Sequence, residues 1–88
     1  MRSLLEPMNA DAQLDAGEAG CSELIMLIFQ TMKPMAPGQI LEVLAYDQIA
    51  DIDIMAWCRM TGNVLVAQNR KIHPQRFFIQ KVDGQTPN

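Results

Sequence analysis

The stretch GQILEVLAYDQIADIDIMAWCRMTG, residues 38–62, decides the fold. Ile40–Tyr46 is a run of aliphatic and aromatic residues whose one charge is Glu42. A strand apolar on both faces belongs in the interior of its sheet, so this segment predicts a central strand. Asp47-Gln48 makes the exit. From Ile49 to Thr61 the period changes, and Ile54, Trp57, Cys58 and Thr61 fall on one face of a helix. Asp47, Asp51 and Asp53 are each suited to cap it, and acids favour the positive end of a helix dipole. Gly62 reads as the C′ residue, where a left-handed backbone ends the helix.

Working outward, Ser22–Lys33 predicts the first helix, with Ser22 as N-cap. Leu24, Leu27, Ile28 and Met32 keep helical spacing, while Met26 and Phe29 add apolar surface on other faces. Pro34 and Pro37-Gly38 stop it. Ahead of it, Ala10–Asp15 alternates as a short strand, and Gly17 and Gly20 mark a loop. Beyond Gly62, Asn63–Gln68 and Arg76–Val82 read as strands joined by the polar connection Asn69–Gln75, hence a hairpin. The order β-α-β-α-β-β predicts an α+β two-layer sandwich, a four-stranded mixed sheet with two helices on one face. Residues 10–82 form one expected domain, with 1–9 and 83–88 as flexible termini.

The chain has 88 residues, room for one domain, and 49% apolar residues support a packed core. Its net charge of −3 argues against direct nucleic-acid binding, which asks for a basic face. Two cysteines, Cys21 and Cys58, without a disulfide framework point to a reducing compartment. The first residues lack the basic and apolar regions of a signal peptide, and Leu24–Phe29 is too short to span a bilayer. The expectation is a cytoplasmic protein with no membrane segment. Seven methionines are core filler in the first instance, though Met also serves adaptable binding surfaces.

Specific residues now meet that order. Leu14-Asp15 is followed by Cys21 at the opening of a helix. Then come Gly38, Leu41-Glu42-Val43, Tyr46-Asp47-Gln48, Asp53-Ile54-Met55-Ala56-Trp57-Cys58 and Gly62-Asn63, and finally Phe77-Phe78-Ile79-Gln80-Lys81. This series resembles the TusA (SirA-like) sulfur-carrier family, whose opening is LDxxGLxCPxP and whose second helix carries DIPxWCxxxGH. The resemblance runs from about Ala10 to Lys81 without insertions. The motif is degenerate here. Ser22 and Leu24 stand at the family's two prolines, Glu18-Ala19 at its Gly-Leu and Asn63 at its histidine. Basic residues common in the family's first helix are largely missing.

The resemblance implies that Cys21 accepts a persulfide sulfur from a donor protein, of desulfurase or rhodanese type, and yields it to an acceptor protein. That chemistry needs a thiolate. Cys21 precedes the first helix, where unpaired backbone N–H groups and the dipole favour an anion. Ser22 and Glu23 form the helix N-terminus around the thiol. Glu18 and Glu23 oppose a second anion nearby. Such a protein is a carrier with a covalent intermediate, needing neither cofactor nor metal. The alternative is a non-catalytic interaction module that kept the fold and lost the motif chemistry, with Met26 and Phe29 binding a partner or a second copy. A homodimer is compatible with that apolar surface.

The remaining candidates weigh less. Cys58, beside Trp57 on the apolar face, reads as buried and inert. No CxxC or HxxxH spacing accompanies the cysteines, so a metal site is not expected. His73 is the one histidine and reads as a solvated loop residue rather than a partner of Cys21. Arg70, Lys71 and Arg76, with His73, cluster in and beside the hairpin loop. They read either as a solvated turn or as a partner-docking patch. Asp47 and Asp53 are assigned capping and turn roles.

Overall fold

A computed structural model of the chain describes residues 10–82. The expected flexible termini, 1–9 and 83–88, lie outside the described residues. The elements are β1 (Ala12–Asp15), α1 (Cys21–Met32), β2 (Ile40–Ala45), α2 (Ala50–Thr61), β3 (Val64–Asn69) and β4 (Gln75–Gln80). This is the expected β-α-β-α-β-β order. Strand ends differ from the sequence reading by one or two residues, where pairing rather than pattern sets the limit.

The sheet order is β1-β2-β4-β3. β1 runs parallel to β2, and β4 is antiparallel to both β2 and β3. β3 is therefore parallel to β2 with β4 inserted between them. Both crossovers, β1-α1-β2 and β2-α2-β3, step in the same direction across the sheet. Right-handed connections of that kind place both helices on one face. β2 is interior, as its apolar pattern requires.

The core lies between that face and the helices. Leu41 and Val43 of β2 stand opposite Ile79 and Phe77 of β4, and all four are fully buried. Leu24, Ile28 and Met32 of α1 and Ala50, Ile54, Trp57 and Cys58 of α2 close over them. Each large aliphatic or aromatic side chain buried this way contributes about 1.5–3 kcal/mol. On the other face β2 turns Glu42 outward from the core. Its carboxylate accepts from Gln13 at 3.0 Å and from Arg76 at 3.2 Å, which compensates the burial of a charge.

Helix ends are held by residues distant in sequence as well as by local ones. Gly62 has φ +86°, a left-handed backbone suited to glycine, and its N–H donates to Cys58 O at 2.8 Å. The last turn of α1 contains no basic residue. The carbonyls at and just past its end are met instead by Lys81, whose Nζ donates to Met32 O at 3.0 Å, Lys33 O at 2.9 Å and Met35 O at 2.6 Å. Buried Asn63 accepts from Val82 N through Oδ1 at 3.2 Å, pinning the chain after β4.

Two capping expectations are corrected. Ser22 is not the N-cap of α1. Gly20, extended at φ −81° and ψ −175°, takes that place, and its carbonyl accepts the first helical bond from Leu24 N at 2.7 Å. Cys21 is thus the first helical residue rather than the residue before the helix, and Ser22 lies inside the first turn. Neither Asp51 nor Asp53 caps α2, because the helix already begins at Ala50. Asp47 holds the preceding turn, accepting Ile49 N through Oδ1 at 3.1 Å.

Candidate functional site

β1 and β2 are parallel, so their C-terminal ends share one edge of the molecule. α1 and α2 both begin there. The β3-β4 hairpin reaches the same edge, since Gln75 pairs with Ala45 at the end of β2. The fold therefore gathers the loop before α1, the two helix N-termini and the hairpin loop at one end.

The loop before α1 is built to turn sharply. Gly17 has φ +57°, and its N–H donates to Asp15 Oδ1 at 3.0 Å. Ala16 N donates to Leu44 O at 2.9 Å, holding the loop to the sheet, and Ala19 N donates to Ala16 O at 3.1 Å. Gly20 then presents the first turn of α1, Cys21-Ser22-Glu23, with no side-chain cap. By helix geometry the N–H groups of this turn have no intrahelical acceptor, and they carry the positive end of the dipole. Ser22 and Glu23 are exposed. From Cys21 to Met32 the helix contains Glu23 and no lysine, arginine or histidine.

Cys58 sits in the core at 6% exposure. Burial pushes its thiol up to about 11 from the ordinary 9.0, so it stays neutral at physiological pH and is a poor nucleophile. This agrees with its reading as inert. His73 is exposed, and its ring meets Tyr46 edge-on with centroids 5.4 Å apart.

The hairpin cations are only partly free. Arg70 Nη1 donates to Asp51 Oδ2 at 2.6 Å, tying the hairpin loop to the first turn of α2. Arg76 is engaged by Glu42 on the open sheet face. Lys71 is exposed at the tip. The fold brings Arg70 and Lys71 to the edge that carries the α1 N-terminus and leaves Arg76 beside it on the sheet.

A groove of about 420 Å³ lies between the two helices, lined by Ser22, Ile25, Asp53, Ala56, Trp57 and Met60. Its end at Ser22 adjoins Cys21 along the chain. Asp53 Oδ2 is buried there with no hydrogen-bond donor among the described residues. Sequence reasoning gave Asp53 a capping role and missed the groove. The signal was present: Asp53, Ala56, Trp57 and Met60 form a second helical stripe beside the core stripe. Elsewhere on the two helices Met26, Phe29, Ile52 and Met55 are exposed apolar residues.

Among the described residues no helix is long and apolar enough to cross a membrane. The family model described as sulfurtransferase TusA matches residues 12–81, from the start of β1 to the lysine after β4.

Proposed function

The chain belongs to the TusA sulfurtransferase family, and from that premise we propose that it holds a sulfane sulfur on Cys21 and relays it between two partner proteins in the cytoplasm. A sulfur-carrier or sulfurtransferase-type role goes with the family itself. The observation that carries the finer reading is the position of Cys21 as the first residue of α1, behind a loop shaped by Gly17 and Gly20. Unpaired N–H groups and the helix dipole at that point favour a thiolate.

The transfer is a thiol exchange at sulfur. The Cys21 thiolate attacks the terminal sulfur of a donor persulfide, R–S–SH. A new S–S bond forms to Cys21 while the donor's S–S bond breaks, releasing R–S⁻ and leaving Cys21–S–SH. An acceptor thiolate then attacks that terminal sulfur, and Cys21 departs as thiolate. Atoms, charge and oxidation level balance in each half. The donor is of desulfurase or rhodanese type, and the hairpin cations Arg70, Lys71 and Arg76 serve as a docking patch for the acidic surface of a partner.

Incubation with a persulfide donor followed by peptide mass spectrometry tests this. The expected result is an adduct of about 32 Da on Cys21, reversed by reductant, with Cys58 unmodified. Cys21→Ser abolishes it. A Cys21 that is alkylated freely but never gains sulfur overturns the carrier reading. The exposed apolar residues Met26, Phe29, Ile52 and Met60 favour the second reading, an interaction module without sulfur chemistry. Under that reading Cys21→Ser leaves partner binding and function intact.

A further inference from the structure

The interhelical groove has a chemistry that its position alone does not explain. Its walls are the side chains of Ile25, Ala56, Trp57 and Met60, with polar groups from Ser22 and Asp53. A volume of about 420 Å³ is within the range of small-ligand sites and has room for a long side chain of a partner. The buried Asp53 Oδ2 lacks a donor among the described residues. A carboxylate oxygen covered from water without a donor is unfavourable, so a rotation of the Asp53 carboxyl toward a donor in the groove recovers that loss.

The charge around the groove selects the donor. Exposed Glu23 lies in the same first turn as Ser22, and α1 brings no basic residue from Cys21 to Met32. Asp53 in the groove and Glu23 near its Ser22 end are full negative charges, against which the helix N-termini set only partial positive ones. Two arginines at this edge of the fold are already committed, Arg70 to Asp51 and Arg76 to Glu42. A neutral hydroxyl or amide would satisfy Asp53 Oδ2 but gain nothing from Glu23. A cation gains from both. The apolar walls suit the methylene stem of a long basic side chain, which buries its stem while its head meets the acid.

We propose that the groove receives an arginine or lysine side chain from the protein that docks over Cys21, with the cationic head on Asp53 and the stem against Ile25, Ala56 and Met60. The proposal rests on the carrier reading in one respect: the groove's Ser22 end is the residue next to Cys21 in the chain, so the partner seated there is taken to be the one that exchanges sulfur. It gives the groove one basic side chain of the partner and leaves the hairpin cations to that partner's acidic surface, and it separates the recognition residue, Asp53, from the reacting residue, Cys21.

The test uses the full 88-residue chain and three capped peptides, Leu-Arg-Leu, Leu-citrulline-Leu and Leu-Glu-Leu, followed by NMR titration. Citrulline matches arginine in shape and lacks its charge. The arginine peptide is expected to shift Ile25, Ala56, Trp57 and Met60 saturably, with the citrulline peptide weaker by on the order of tenfold and the glutamate peptide silent. Asp53→Asn, nearly isosteric, is expected to weaken the arginine peptide to the citrulline level while its melting temperature shows that the fold is kept.

Equal binding of the arginine and citrulline peptides overturns the proposal. So do shifts centred on the open sheet face, or self-association of the chain that occupies the groove and blocks the peptide. Cys21→Ser keeps the peptide affinity. The two readings can thus fail separately. Peptide binding without a Cys21 persulfide strikes the carrier reading, and a Cys21 persulfide without charge-selective binding strikes the groove.

Discussion

Replacing Lys81 by methionine should cost this small domain a large part of its stability, although Lys81 lies outside both helices and every strand. Its ammonium has three donors and meets three carbonyls, Met32 O, Lys33 O and Met35 O, at 3.0, 2.9 and 2.6 Å. Hydrogen bonds to a charged group contribute about 1.5–3 kcal/mol. A cation at a helix C-terminus adds about 0.3–1 kcal/mol. Two of the three bonds are part-buried and one is exposed, and water re-solvates some of the freed carbonyls. A net loss of about 2 kcal/mol follows from the lower end of these ranges. Methionine keeps the stem, so packing changes little. For a domain of this size each kcal/mol moves Tm by roughly 4–8 °C. Lys81→Met should therefore melt about 8–16 °C lower by circular dichroism, with a matching fall in urea midpoint and an unchanged m-value. Lys81→Arg should recover only part, because a planar fork cannot converge on three carbonyls as an ammonium does. A Lys81→Met protein melting within about 2 °C of the parent would refute the reasoning.

Stability should also fall at high pH through Cys58. The unfolded thiol ionises near 9.0, whereas the folded one holds its proton to about 11. The contribution is full below pH 9.0 and is lost as pH rises through about 11; a gap of that size corresponds to about 2–3 kcal/mol. Urea titrations from pH 8 to 11 should show this slope in the parent and not in Cys58→Ala, and equal slopes would sink it. Joint charge reversal, Arg70→Glu with Lys71→Glu, should weaken partner binding most at low salt. The fold should survive it, since the Arg70–Asp51 pair is largely exposed on the arginine side and such pairs contribute about 0–1 kcal/mol. Binding unchanged at low ionic strength removes the docking role.

Local signals carried most of the architecture. The apolar run Ile40–Tyr46, the stripe Ile54–Trp57–Cys58 and the glycine at 62 each act within a few residues of themselves, and all reappear as β2, the core face of α2 and its left-handed end. Cys21 was legible as a helix-start cysteine for the same reason. The cap of α1 was misread because Ser22 and Gly20 both suit that place. In the structure Gly20 O accepts Leu24 N, which starts the helix at Cys21.

What the sequence by itself determined is the element order, the core-facing residues and the location of the candidate thiol, because these depend on periodicity and on backbone preferences of single residues. Only the tertiary structure decided the strand order β1-β2-β4-β3, the reach of Lys81 back to α1 across 46 to 49 residues, and the seating of Asp53 in a groove facing Ile25. Those contacts join segments far apart in the chain. Their partners are chosen by the packing of whole elements, which leaves no mark at the scale of a helical turn or a strand repeat.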